Sequence, residues 1–195
     1  MRRLSLSACV PVIAGLVLLG SAASGQASGG PPASQPHSLA ATSTGTISPV
    51  TDPLSSGSPN GWVTFPGGAF CKSDITIAVV ANNEYQDVFT LANGASVIEV
   101  KGKLVLRFTN DANASRTFVA DASGETMTIV NADGSGSETA TGNNWWAFGP
   151  NSRANTGEPP LVISHGPVAI TFANNAVTSY SLFGKETNVC KRLHA

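Results

Sequence analysis

Gly102-Lys103-Leu104-Val105-Leu106-Arg107-Phe108-Thr109-Asn110 is the stretch on which the fold turns. Leu104, Leu106 and Phe108 alternate with Val105, Arg107 and Thr109, a period of two that sends one set to each face of a strand. A glycine opens the run, and Asn110-Asp111-Ala112-Asn113 closes it with residues that tolerate turn geometry. Working outward, the same period recurs in Ile75, Ile77 and Val79, in Met127 and Ile129 about Thr128, and in Val168, Ile170 and Phe172. Turn chemistry separates the runs at roughly 8–12-residue intervals, as in Asn93-Gly94, Asp133-Gly134 and Asn174-Asn175. No window carries a sustained helical stripe. The pattern predicts an all-β chain forming a single β-sandwich, Ig-like or jelly-roll-like, over residues 62–195. Its first strand falls at Trp62-Val63-Thr64-Phe65 or begins a few residues later, at Phe70-Cys71. Ala-Asn-Asn occurs at 81–83 and again at 173–175, read as two independent turns using asparagine at positive φ.

Upstream of the sandwich the composition changes twice. Residues 1–27 read as a secretory signal peptide: Arg2 and Arg3, an apolar run from Val10 to Gly20, then small residues with cleavage after Ala23 or Ala27. Sec and twin-arginine export both fit. Leu6-Ser7-Ala8-Cys9 spells a lipobox but lies too close to the arginines to follow an apolar region. Residues 28–61 are rich in Gly, Ser, Thr and Pro and read as a flexible tether, unable to bury enough surface to offset its ordering entropy.

Charge and cysteine use narrow the function classes. The chain has 11 basic and 12 acidic residues, and loss of Arg2 and Arg3 leaves 9 against 12, without runs. No basic patch exists to displace counterions from nucleic acid, and no apolar stretch of the mature chain is long enough to span a bilayer. Cys71 and Cys190 are the only cysteines left after export. In an oxidising compartment they read as one disulfide, with two free buried thiols as the alternative. Closing a loop of roughly 120 residues would stabilise by about 5 kcal/mol on the chain-entropy model.

Chemistry-bearing motifs are scarce. Nucleophile-elbow, zinc-protease, phosphate-loop and Cys-x-x-Cys patterns are absent. His165 is the one histidine within the fold; its strand neighbour Ser164 points to the opposite face, so the two cannot easily share a proton, and His165 reads as a turn histidine before Gly166-Pro167. Asn131 to Gly136 resembles half of a calcium loop but has Gly142 where the bidentate carboxylate belongs, which favours a glycine hairpin. A carboxylate pair drawn from Glu84, Asp87, Asp121 or Glu125 would be needed for a secreted hydrolase. Trp145-Trp146 is the conspicuous aromatic feature. Adjacent strand residues face opposite ways, so one indole, with Trp146 favoured, is expected in the core. The other, Trp145, is expected outside as a platform for sugar stacking.

Several segments taken together resemble a family of small secreted actinobacterial proteins without an established activity. They are the opening Cys71, Asn82-Asn-Glu-Tyr-Gln-Asp-Val-Phe-Thr-Leu-Ala-Asn-Gly94, Gly102 to Asn110, Asp133-Gly-Ser135, Pro167 to Phe172 and the closing Cys190. The resemblance spans about residues 70–193. The family often has Gly-Pro after the strand near Thr117, where this chain has Gly124-Glu125. It implies the fold and the cysteine pair and supplies no catalytic residue. The expectation is a secreted, non-catalytic extracellular module without cofactor or metal, binding an unknown ligand such as a glycan or the cell envelope. A carbohydrate-binding module with an exposed tryptophan is the alternative, and a hydrolase the remote one.

Overall fold

The computed structural model describes residues 45–54 and 61–195. The segment read as a signal peptide and most of the segment read as a tether lie outside the described residues. Fourteen strands follow in chain order: β1 (Thr46–Pro49), β2 (Trp62–Phe65), β3 (Ile75–Asn82), β4 (Tyr85–Thr90), β5 (Ser96–Lys101), β6 (Leu104–Asn110) and β7 (Thr117–Asp121). The second half holds β8 (Glu125–Val130), β9 (Gly136–Thr141), β10 (Asn143–Ala147), β11 (Leu161–His165), β12 (Val168–Ala173), β13 (Ala176–Leu182) and β14 (Lys185–Asn188). Two short helices complete it, α1 (Pro150–Thr156) and α2 (Val189–Leu193). Every pairing is antiparallel. The all-β sandwich expected from the alternating runs is the fold observed.

The strands form three sheets: β1-β4-β5-β8-β9-β12-β13, β2-β3-β6-β7 and β10-β11-β14. Successive hairpins alternate between layers, β4-β5 entering the large sheet, β6-β7 the four-stranded one, and β8-β9 the large one again. The three-stranded sheet is the middle layer. One of its faces packs Trp145, Ala147, Leu161 and Ile163 against Phe65, Ile75, Ile77, Leu104, Leu106 and Phe108 of the four-stranded sheet. The other packs Trp146 and Val162, with Phe148 just beyond the strand, against Val130, Val168, Ile170, Phe172 and Val177 of the large sheet. Leu161-Val162-Ile163 is therefore a continuous apolar run, as expected of a strand buried on both faces.

The local details follow from residue chemistry. Between β8 and β9, Gly134 takes φ 78° while Ser135 N and Oγ both donate to Asp133 Oδ1, at 2.9 and 2.6 Å. This is the glycine hairpin the sequence favoured over a calcium loop. Asn174 and Asn175 take φ 51° and 57° in the β12–β13 turn. The other Ala-Asn-Asn copy behaves differently: Asn82 and Asn83 are not at positive φ. Asn82 uses its amide instead, accepting from Glu84 N and donating to Val50 O at 2.7 Å. Cys71 and Cys190 are bonded, with Cα atoms 5.4 Å apart across 119 residues. The bond ties the loop after β2 to α2.

Two expectations need correcting. Residues 46–49, placed in the tether, form β1 and pair with β4 from Thr46–Val88 to Pro49–Tyr85. Leu54 is fully buried beside Phe65 and Cys71. A segment poor in large apolar residues still joins the fold, because strand pairing satisfies its backbone and one leucine supplies the anchor. In β8 the apolar parity is inverted. Thr128 is buried while Met127 is 40% exposed, because Thr128 shares the inner face with Glu138 directly opposite.

Candidate functional site

The free end of the middle layer forms a groove of about 320 Å³. On the face that buries Trp145, Ala147, Leu161 and Ile163, the register continues to Asn143, His165, Thr187 and Lys185, and these four are not buried. Edge strand β7 of the four-stranded sheet forms one wall with Phe118 to Asp121, and α2 adds Arg192. His165 Nδ1 lies 3.0 Å from Asn143 Oδ1 and Nε2 lies 3.2 Å from Thr187 Oγ1. In that network Asn143 accepts through its oxygen, which leaves its NH₂ as a donor to the groove. Arg192 sits 5.5 Å above the Phe118 ring, which also stacks on Phe108 at 5.0 Å. Asp121 is the one acid of the lining and already accepts from Ser123 N at 2.9 Å.

Just beyond His165 the chain turns through Gly166 at φ 125°, where its backbone meets Phe183 and Gly184. A Cβ at Gly184 would collide with the His165 carbonyl, so only glycine lets the two turns nest. Phe183, in the turn that nests against this one, is 72% exposed.

The tryptophan pair is placed otherwise than expected. Trp145 and Trp146 do point to opposite faces, but both are buried, at 5% and 8% exposure. Trp145 meets Phe65 edge-on at 6.4 Å. Trp146 donates from Nε1 to Ser164 Oγ at 2.8 Å and meets Tyr180 at 6.4 Å. Neither offers a sugar platform, since a layer covers each face of β10. The exposed tryptophan is Trp62, at 45%. Ser164 and His165 diverge as expected, the serine into the core and the histidine into the groove.

Beside β10 lies a small cavity of about 30 Å³, lined among others by Glu84, Thr126, Glu138, Asn144, Trp145 and Trp146. Burial raises the Glu84 carboxyl to about 7. It raises Glu138 to about 8, although a hydrogen bond with Thr128 opposes the shift. Glu138 was not singled out in the sequence because Gly136-Ser-Glu-Thr-Ala-Thr141 reads as a solvated polar strand. The one signal was its parity with Ala140, which is buried.

The other candidate acids do not gather around one point. Asp121 is in the groove, Asp87 is half-buried opposite Glu99, and Glu125 is exposed. A separate acidic pair forms where Glu158 meets Glu186. The Glu158 carboxyl is pushed up by burial and then by Glu186, and the Tyr180 hydroxyl is pushed up by burial first and then by both acids. Among the described residues no group of three His, Cys, Asp or Glu side chains is placed to hold a metal ion, and no helix is long and apolar enough to cross a membrane. Comparison with protein-family models, curated proteins and solved structures returns no match.

Proposed function

We propose that this protein is a non-catalytic extracellular binding module whose groove at the end of the middle layer takes an acidic glycan, such as one borne on a cell envelope. The observation that carries the reading is the set of side chains converging there. Asn143, His165, Thr187 and Arg192 offer hydrogen bonds over an apolar floor of Ile163 and Phe118. Lys185 lies directly opposite His165 and shares its face. Arg192 in the lining, with Lys185 beside His165, faces an Asp121 already engaged by Ser123 N, which favours a ligand carrying carboxylate or phosphate groups, and guanidinium suits both. Phe183, exposed beside the His165 turn, supplies an aromatic surface of the kind that stacks on a sugar ring. Export rests on the Arg2-Arg3 and Val10–Gly20 signal pattern, and the Cys71–Cys190 bond accords with an oxidising compartment. Membership among the small secreted actinobacterial proteins belongs to the same reading.

Calorimetric titration of the mature protein with acidic and neutral polysaccharides tests it. Acidic chains should bind, more weakly as salt rises, and Arg192→Ala should weaken binding by about tenfold. Equal retention of neutral and acidic chains, or retention of neither, defeats the proposal.

A further inference from the structure

We propose that the cavity beside β10 is a buried hydration site, where water joins the Trp145 indole of the middle layer to the Glu138 carboxyl of the large sheet. Both side chains are more than nine-tenths buried and both line the cavity. Each has one buried polar atom with no hydrogen-bond partner in the protein: Trp145 Nε1 and Glu138 Oε1. Leaving such an atom unpaired costs about 1–3 kcal/mol, so two of them on one cavity call for a guest that serves both.

The chemistry of the two atoms defines the guest. An indole N–H only donates, so the guest must accept from it. A protonated carboxyl accepts through one oxygen and donates from the other, so the guest must be able to donate as well as accept. A hydroxyl group meets both needs, whereas a bare cation faces repulsion from the indole proton, and no basic side chain lines the cavity to balance an anion. Size selects among hydroxyl compounds. A water needs roughly 10–15 Å³ of such space, so about 30 Å³ admits about two waters and no sugar ring. Val50, Val100, Leu104 and Ala122 supply apolar wall, and Glu84, Thr126 and Asn144 add polar groups to the lining. Trp146 does not compete, because its Nε1 is already bonded to Ser164.

The position explains why the gap exists. β10 pairs with β11 on one side only, so the middle layer ends there. Beyond its edge the lining comes from the large sheet (Val100, Thr126, Glu138), from Leu104 of the four-stranded sheet, and from Val50 and Pro53. Water at this edge completes the contact that a further strand would otherwise make.

A high-resolution crystal structure of the mature protein should show solvent density within hydrogen-bond distance of both Trp145 Nε1 and Glu138 Oε1. In solution, the Trp145 indole proton should give a cross-peak to long-lived water. Glu138→Leu should abolish that cross-peak while the indole resonance itself persists. A wild-type map with no solvent there, or with Trp145 bonded directly to Glu138, overturns the proposal. So does a cross-peak that survives in folded Glu138→Leu protein. If that variant does not fold, the wild-type map still decides.

Discussion

The two ends of the three-stranded sheet obey the same strand geometry and meet opposite fates. At one end Trp145, Trp146, Leu161, Val162 and Ile163 are all buried, because a layer lies over each face. At the other, Asn143, His165 and Thr187 continue one of those faces into an open groove. Side-chain alternation is identical in both regions. What differs is coverage: at the far end edge strand β7 forms one wall of the groove instead of covering the face. Parity therefore says which side chains share a face, and only the neighbouring layer says whether that face is core or surface.

The sharpest way to break this comparison is to truncate both indoles. Trp145→Ala and Trp146→Ala should each destabilise by about 3–5 kcal/mol, measured by chemical denaturation. A variant that melts with wild type would mean that one face of β10 is open. The second test titrates the covered end. Glu138 ionises at about 8 in the folded protein against an ordinary 4.5, so the folded state holds the proton more tightly. Its contribution is fully present below about pH 4.5 and is lost as pH rises to about 8, a few kcal/mol in all. Glu84, raised to about 7, acts in the same direction. Glu138→Gln should flatten the curve and raise stability at pH 8. Wild-type stability that grows from pH 5 to 8 would show that Glu138 is not held neutral.

A smaller effect is expected where the N-terminal segment meets the core. Leu54→Ala should cost about 2–3 kcal/mol, and a chain starting at Trp62 should lose at least as much, since it also loses β1. Unchanged melting of either would return residues 45–54 to the tether. The smallest effect belongs to the open end. His165→Ala and Phe183→Ala should shift stability by no more than about 0.5 kcal/mol while weakening glycan retention. A large loss of stability from either would make the groove part of the core.

How much was legible in advance varied with how local the cause was. Alternation in β3, β6 and β12 and the turn residues between strands were readable because strand period and positive φ are properties of a few consecutive residues. β8 misled because Met127 and Ile129 are more apolar than the Thr128 beside them, yet Thr128 is drawn inward by register with Glu138. Residues 46–49 carry no apolar alternation, and their strand is induced by the exposed edge of β4. The groove was the least legible. Its residues come from β7, β10, β11, β14 and α2, and none of them forms a motif with its sequence neighbours.

By itself, then, the amino-acid sequence determined the strand period, most of the turns and the opposite orientation of Trp145 and Trp146. Each of these depends on the backbone geometry of a few consecutive residues. The tertiary structure alone decided that a third sheet lies between two others, that both indoles are buried, that Glu138 is an interior acid, and that His165 opens onto a groove. Burial is a relation between elements distant in the chain, and no local pattern encodes how far a neighbouring layer extends.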